Sequence, residues 1–125
     1  MTYDFFSAQL RFIANKTDRE PGDVADKLDA LEKVIQEIDS GANAFHVPAS
    51  DLRITARALA GVAGLLQQHI LPEAVAAGHV AGEAQIRWTI ETCMTTMANL
   101  MSRAELDKDD LGLDVVLPPV PPNWA

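Results

Sequence analysis

The sequence predicts an all-α fold: an antiparallel bundle of four main helices with an extended, proline-rich C-terminal arm. Through most of the 125 residues, apolar side chains recur every three or four positions, the period of an amphipathic helix. No segment shows the sustained two-residue alternation of a half-buried strand. Four of the seven prolines lie between 118 and 122, and such a run favours extended backbone. We therefore place a helical domain at 1–106 and the arm at 107–125.

The first helix is expected to begin after Thr2, because threonine is a good N-cap residue. Its apolar face is broad for a short helix and holds three of the four phenylalanines. Such a face is expected deep in the core or in a dimer seam. It comprises Phe5, Phe6, Leu10, Phe12 and Ile13.

The second helix has the most regular pattern in the chain, with apolar residues at alternating four- and three-residue intervals. This spacing predicts one buried stripe and a solvated remainder. The stripe comprises Val24, Leu28, Leu31, Ile35 and Ile38. The outer face is acidic and includes Asp26, Asp29 and Glu32.

In the connection that follows, Phe45 and Val47 are expected to contact the core, with His46 pointing outward. The third helix is predicted from about 51 to 71 and is rich in small residues. Gly61 and Gly64 each cost roughly 1 kcal/mol in a helix interior relative to alanine, so we expect close approach of another backbone to compensate.

Pro72 ends or kinks the third helix, because its ring clashes with the carbonyl four residues back and it lacks an N–H. Gly78 and Gly82 are expected to bracket a short connection into the last helix. That helix is predicted from Glu83 to Leu106. Its apolar stripe comprises Ile86, Ile90, Cys93, Met97, Leu100 and Ala104, broadened by Met94 and Met101.

Two histidine–glutamate pairs flank this corner: His69 with Glu73, and His79 with Glu83. Residues four apart share a helix face, as metal ligands often do. Pro72 interrupts the first pair and a glycine the second, so we predict local hydrogen bonding or solvent exposure rather than a metal or acid/base site. Cys93 lies on the apolar stripe, where an inert buried thiol is expected.

The arm carries apolar residues and a proline run. We expect Val115, Val116, Leu117 and Trp124 to pack on the chain's own bundle or on a second subunit. The alternatives are an external partner that binds the P-x-x-P spacings in an aromatic groove, and simple disorder of the arm. Trp124 is the predicted anchor for packing or for partner binding.

The formal net charge of -8 is local. Residues 21–40 hold six acids against two lysines, and residues 105–125 hold five acids against one lysine. Direct nucleic-acid binding is disfavoured because such surfaces are basic. An acidic face instead suits a basic protein partner, including one that itself binds nucleic acid, or is a solvated face that keeps the protein soluble.

A single cysteine suits a reducing compartment, and the N-terminus lacks the pattern of a secretion signal. The longest apolar stretch, 58–66, is shorter than the ~20 residues of a membrane span, so a cytoplasmic protein without a membrane partner is expected. No catalytic or cofactor-binding residue is predicted.

The predicted function is a non-enzymatic interaction module: an adaptor, chaperone or inhibitor that forms a homo-oligomer, with a dimer favoured. Its partner contacts are expected at Asp26, Asp29, Glu32, Val116, Leu117 and Trp124. Two alternatives remain. One is a metal- or ligand-binding protein or enzyme that uses the histidine corner, and the other is a structural subunit joined to its neighbours through the arm.

Overall fold

The computed structural model describes residues 3–18, 22–106 and 111–121. This part of the chain is mostly helical, as predicted, and also contains a short two-stranded sheet. The helices are α1 (Asp4–Lys16), α2 (Asp23–Asp39), α3 (Leu52–Leu65), α4 (Leu71–Ala76) and α5 (Val80–Leu106). The strands are β1 (Ala44–Val47) and β2 (Leu113–Val116). Thr2, the predicted first cap, lies outside the described residues.

The core is built around α3, which packs most extensively against α5 and also contacts α2. Helix α1 lies against α2 and α5. Leu52, Leu59 and Leu66 of the third helical segment are almost fully buried. Leu100 of α5 is fully buried in the same cluster. The apolar faces predicted from periodicity therefore meet in one core.

The apolar face of α1 is narrower than the sequence suggests. Phe6, Leu10 and Ile13 are buried as predicted, and Phe5 is half-buried. Phe12 is 43% exposed, so it does not widen the face that is buried in the core, and the alternative of a dimer seam stays a prediction. The Lys16 ammonium lies 4.7 Å from the centre of its ring, a cation–π contact that suits an aromatic side chain left in solvent.

On α2, the buried face is rotated slightly from the predicted stripe. Leu31, Ile35 and Ile38 are buried as predicted, but Val24 and Leu28 are only half-buried. Ala30 and Val34 join the core instead. The two half-buried residues line a shallow hollow between α1, α2 and α3, because α3 presents a glycine there rather than a large side chain.

The two strands correct the expectation that the chain contains no strand. Phe45 and Val47 are buried and His46 is exposed, as predicted for this segment. Each strand is only four residues long, too short for a sustained alternation, and its partner is distant in sequence. The antiparallel partners are Ala44 with Val116, Phe45 with Val115, His46 with Asp114, and Val47 with Leu113.

Pro72 interrupts the α-helix without ending the helical path. The α-helix gives way to a π-helical turn at Leu66–Ile70, and a new α-helix begins at Leu71. At the junction, the N–H of Leu71 donates to the carbonyl of Leu66, five residues back. The wider turn accommodates the proline ring and its missing donor; proline and π-turns are both recognised causes of helix kinks.

The glycines of α3 do not mark a close approach of another backbone. A Cβ built on Gly61 or Gly64 meets nothing within 4 Å, so that prediction is wrong for the described chain. The boundary of α5 also differs from the prediction. Gly78, with a φ of 71°, ends the preceding turn, whereas Gly82 lies inside α5. The helix starts at Val80 because the carbonyl of His79 already accepts the N–H of Glu83.

The segment after α5 is part of the same core. Val115, Leu117 and Val120 are buried, and the first two belong to the main hydrophobic cluster. Packing on the chain's own bundle is one of the arrangements predicted from the sequence, and it holds for Val115 and Leu117; Val116 is 70% exposed, so the same expectation is wrong for that residue. Across the three described stretches, no helix is both long enough and apolar enough to cross a membrane.

Candidate functional site

A groove of about 690 Å³ separates α5 from β2 and the residues around it, and we call it the α5–β2 groove. Its volume falls in the range of ligand clefts, roughly 300–1,000 Å³. Its helical wall comprises Trp88, Glu91, Thr92, Thr95, Thr96, Asn99, Ser102, Arg103 and Leu106. Its other wall comprises Leu113, Asp114, Val115, Val116 and Pro118.

The helical wall is a row of hydroxyl and amide side chains. Thr92, Thr96 and Asn99 follow one another at four- and three-residue intervals, so they share one face of α5. Sequence reasoning followed the apolar residues of α5 and missed this row. The recurrence of polar residues with the helical period is visible in the sequence. Such a polar stripe normally indicates a solvated face, so it does not by itself indicate a groove.

Two of these threonines lie at the bottom of the groove. Thr92 is 5% exposed and Thr96 is 7% exposed. Thr89, one turn earlier, donates its hydroxyl to the carbonyl of Gln85 at 3.0 Å. Within the described part of the chain, the hydroxyls of Thr92 and Thr96 make no such bond. They are therefore hydrogen-bonding groups at the bottom of a groove, unused by the fold.

The outer edge of β2 faces the groove. In an antiparallel pair, the backbone groups of successive residues alternate between pointing to the partner strand and pointing away from it. The N–H of Leu117 donates to the carbonyl of Asn43 at 2.8 Å, so odd-numbered residues of this segment bond to β1. The N–H and C=O groups of Asp114 and Val116 consequently point away from β1.

The ends of this edge are fixed by side chains of α5 and α1. The Nε of Arg103 donates to the carbonyl of Gly112 at 2.8 Å. The hydroxyl of Tyr3 donates to the carbonyl of Pro118 at 2.9 Å. Between these bonds, the outward N–H and C=O groups of Asp114 and Val116 have no hydrogen bond to any described residue. We call these four groups the open edge of β2.

An aromatic cluster closes the groove at the N-terminal end of its helical wall. The ring of Trp88 lies 5.1 Å from that of Phe5, 5.5 Å from that of Phe6 and 6.0 Å from that of Tyr3, between ring centres. The first two contacts are edge-to-face, a favoured geometry for aromatic pairs. This cluster anchors α1 to α5 and holds Tyr3 beside the C-terminal segment.

Carboxylates dominate the charge of the groove. Glu91 is exposed on the helical wall, and the side chain of Asp114 is 81% exposed on the strand wall. The Nδ1 of His46 lies 2.6 Å from Asp114 Oδ1, a cross-strand contact on the solvent side of the sheet. The guanidinium of Arg103, which donates to a backbone carbonyl, is the one described cation of the lining. With two carboxylates against one guanidinium, the groove carries a net negative charge, which favours cationic over anionic ligands.

Gly112 allows β2 to lie close to β1. Its φ is 74°, a conformation that L side chains rarely adopt. A Cβ at this position would lie 2.2 Å from the carbonyl oxygen of Val47. A glycine is therefore required here for two independent reasons, conformation and space.

The acidic residues predicted as partner contacts are on the surface of α2. Asp26, Asp29 and Glu32 are all exposed. At the C-terminal end of the same helix, Arg11 of α1 forms an ion pair with Asp39. A hydrogen bond from this guanidinium holds the pKa of the Asp39 carboxyl below its usual range. The predicted α2 contacts do not line the α5–β2 groove.

The histidine–glutamate corner is exposed. His69 lies in the π-turn, Glu73 lies in α4, and both are exposed. His79 precedes α5, and the half-buried Glu83 accepts a hydrogen bond from Arg87 at 3.2 Å. Among residues 3–18, 22–106 and 111–121, no group of three or more His, Cys, Asp or Glu side chains is placed to hold a metal ion.

The remaining predicted residues have different environments. Cys93 is fully buried, and burial raises the pKa of its thiol to about 12, as expected for an inert cysteine. Val116 is 70% exposed and lines the α5–β2 groove. Leu117 is 4% exposed and packs in the core of its own chain. Trp124 lies outside the described residues.

No protein family, curated protein or solved structure matches the chain.

Proposed function

We propose that this chain is a small, acidic, non-enzymatic protein–protein interaction module that binds an extended segment of a partner protein along the open edge of β2. The observation that carries the proposal is the combination of outward strand backbone groups at Asp114 and Val116 with a groove beside them. Extended peptides add to exposed sheet edges through main-chain hydrogen bonds, while pockets for alternate side chains give specificity.

The open edge is held in place before a partner arrives. Burial of Val115 and Leu117 fixes one face of the segment, and the bonds from Arg103 and Tyr3 fix its ends. A preorganised site loses less conformational entropy on binding than a mobile one. Each new main-chain hydrogen bond contributes on the order of 1 kcal/mol net. The unused hydroxyls of the helical wall supply further bonds.

The helical wall of the groove suits a peptide better than an apolar small molecule. Pockets for small ligands are mostly apolar with a few polar groups. Here hydroxyl, amide and carboxylate side chains dominate the helical wall. A peptide backbone carries a donor and an acceptor at nearly every residue, and so matches such a wall along its length.

We also propose that α1, α2, α3 and α5 form an antiparallel four-helix bundle, with α4 as the continuation of α3 beyond Pro72 and the C-terminal segment as an extended arm. The protein would act in the cytoplasm as an adaptor, chaperone or inhibitor. The acidic face of α2, with Asp26, Asp29 and Glu32, steers a basic partner towards the protein. Formation of a homodimer stays a prediction.

A proline substitution tests the use of the open edge. Val116→Pro removes one outward N–H of the open edge. It removes none of the hydrogen bonds from β2 to β1, because the backbone N–H of Val116 points away from β1. Val116→Thr is the matched control, because it keeps the N–H and a β-branched side chain. A photo-crosslinking amino acid at Thr95 reports occupancy of the groove in the cells that make the protein, and one at Val75 of α4 reports background.

We expect a cross-linked partner at Thr95 in the natural sequence and in Val116→Thr, and its loss in Val116→Pro at unchanged melting temperature. Digestion of the cross-linked product should identify one contiguous segment of the partner. Equal cross-linking in the two variants would refute binding through the open edge. A product of twice the chain mass would identify a second copy of this chain as the occupant and overturn the proposal of a different partner.

A further inference from the structure

We infer, on the basis of the proposed function, that the bound segment is basic and has a defined three-residue pattern: a β-branched residue, a small hydroxyl residue, and then lysine or arginine. This pattern follows from the side chains that an added antiparallel strand would meet along β2. In antiparallel pairing, the residue opposite Val116 comes first in the partner and the residue opposite Asp114 comes last.

The basic position is set by Asp114. Its side chain is 81% exposed, and one carboxylate oxygen contacts the exposed His46 of β1. The side of Asp114 that faces away from β1 is therefore open to a neighbour on an added strand. Opposite charges on directly opposed residues stabilise strand pairs, and like charges destabilise them. The one described cation of the groove, Arg103, lies at Gly112 and donates to its carbonyl, whereas the residue opposite Asp114 would lie on the solvent side of the sheet, beside Asp114 and His46.

The β-branched position is set by Val116, which is 70% exposed although it lies in a strand. An added strand would place a side chain directly opposite it, with Cβ atoms roughly 5 Å apart. A valine or isoleucine there would remove both apolar side chains from water. Val116 is therefore an exposed apolar residue whose exposure would end on binding.

The middle residue would point to the opposite side of the added strand, because side chains alternate across a strand. That is the side on which Val115 is buried against the helices, where α5 presents Thr92 and Thr96 at the bottom of the groove. A serine or threonine of the partner can donate to these hydroxyls and accept from them. A large apolar residue would instead leave them without partners, which costs free energy.

Fluorescence anisotropy with synthetic peptides tests the inferred pattern. The probes are short fluorescein-labelled peptides with a central Val-Thr-Lys or Val-Thr-Glu, flanked in both cases by the same Ser-Thr repeats. They are titrated with the natural protein, Asp114→Asn, Asp114→Lys and Val116→Pro. Asp114→Asn keeps a hydrogen-bonding group towards His46, and circular dichroism confirms the fold of each variant.

We expect the Val-Thr-Lys peptide to bind the natural protein roughly tenfold more tightly than the Val-Thr-Glu peptide. The lysine attracts the carboxylate of Asp114, whereas a glutamate at the same position repels it. Asp114→Asn should reduce this ratio towards one, and Asp114→Lys should reverse it. Equal binding of both peptides to the natural protein, lost in Val116→Pro, would overturn the inferred pattern and leave the proposed function standing. Binding of neither peptide would overturn both.

Discussion

Replacement of Gly112 by alanine should strongly destabilise the protein, because β2 lies against β1 at this residue. Two costs add. The left-handed conformation, with a φ of 74°, costs an L residue about 1–2 kcal/mol. The new Cβ would also lie 2.2 Å from the carbonyl oxygen of Val47, whereas ordinary contact begins at 3.4 Å. The strands must therefore separate locally by about 1.2 Å, the difference between these distances.

A displacement of this size has a cost that can be estimated from the bonds it affects. Leu113 pairs with Val47 directly beside Gly112, and this separation would stretch the two ladder bonds of the pair beyond hydrogen-bonding distance. Loss of these two bonds costs roughly 1 kcal/mol each. With the conformational cost, we expect a loss of about 3–4 kcal/mol in the free energy of unfolding.

Gly41→Ala is the matched control. Gly41 has a φ of 93°, and a Cβ there meets nothing within 4 Å. It therefore carries the conformational cost alone, about 1–2 kcal/mol. Urea unfolding followed by circular dichroism at a helical wavelength measures both variants. If Gly112→Ala is no more destabilising than Gly41→Ala, the close contact between the strands described above does not exist.

Three further predictions concern packing. Leu117→Ala should lower the free energy of unfolding by about 3 kcal/mol, because Leu117 is buried, whereas Val116→Ala should change it by less than about 0.5 kcal/mol. Similar values for the two variants in urea unfolding would contradict the burial of Leu117. Gly61→Ala and Gly64→Ala should each stabilise the helix by roughly 0.5–1 kcal/mol, since added methyl groups meet open space; a lower melting temperature would indicate an unrecognised neighbour. Cys93 should react with a thiol reagent at pH 8 only as fast as the protein unfolds, because burial raises the pKa of its thiol to about 12; rapid labelling under native conditions would refute this.

One residue of the candidate site, Val116, could be singled out from the sequence. It lines the α5–β2 groove and is 70% exposed, so it does not pack on its own bundle, and its contact with a partner stays a prediction. The row of threonines on α5 was not predicted, because a polar stripe in the sequence does not show which part of the chain lies opposite it. Only the position of β2 across the groove distinguishes Thr92 and Thr96 from ordinary surface threonines. Such a position depends on contacts between residues far apart in the chain.

The sequence by itself determined the helical elements and most of their buried faces. This information is local, because an amphipathic helix repeats within a few residues and needs no knowledge of its neighbours. The same local pattern correctly placed Phe45 and Val47 inward and His46 outward. Burial of Cys93 also followed from its place on an apolar stripe.

The tertiary structure alone decided the sheet, the π-turn and the open edge of β2. Strand β2 forms because β1, about seventy residues earlier, supplies its hydrogen-bonding partner and the core supplies a surface for Val115 and Leu117. A four-residue strand has too few residues to be specified by its own alternation. Likewise, whether a glycine is needed depends on its neighbours: Gly112 lies against another strand, whereas Gly61 faces open space.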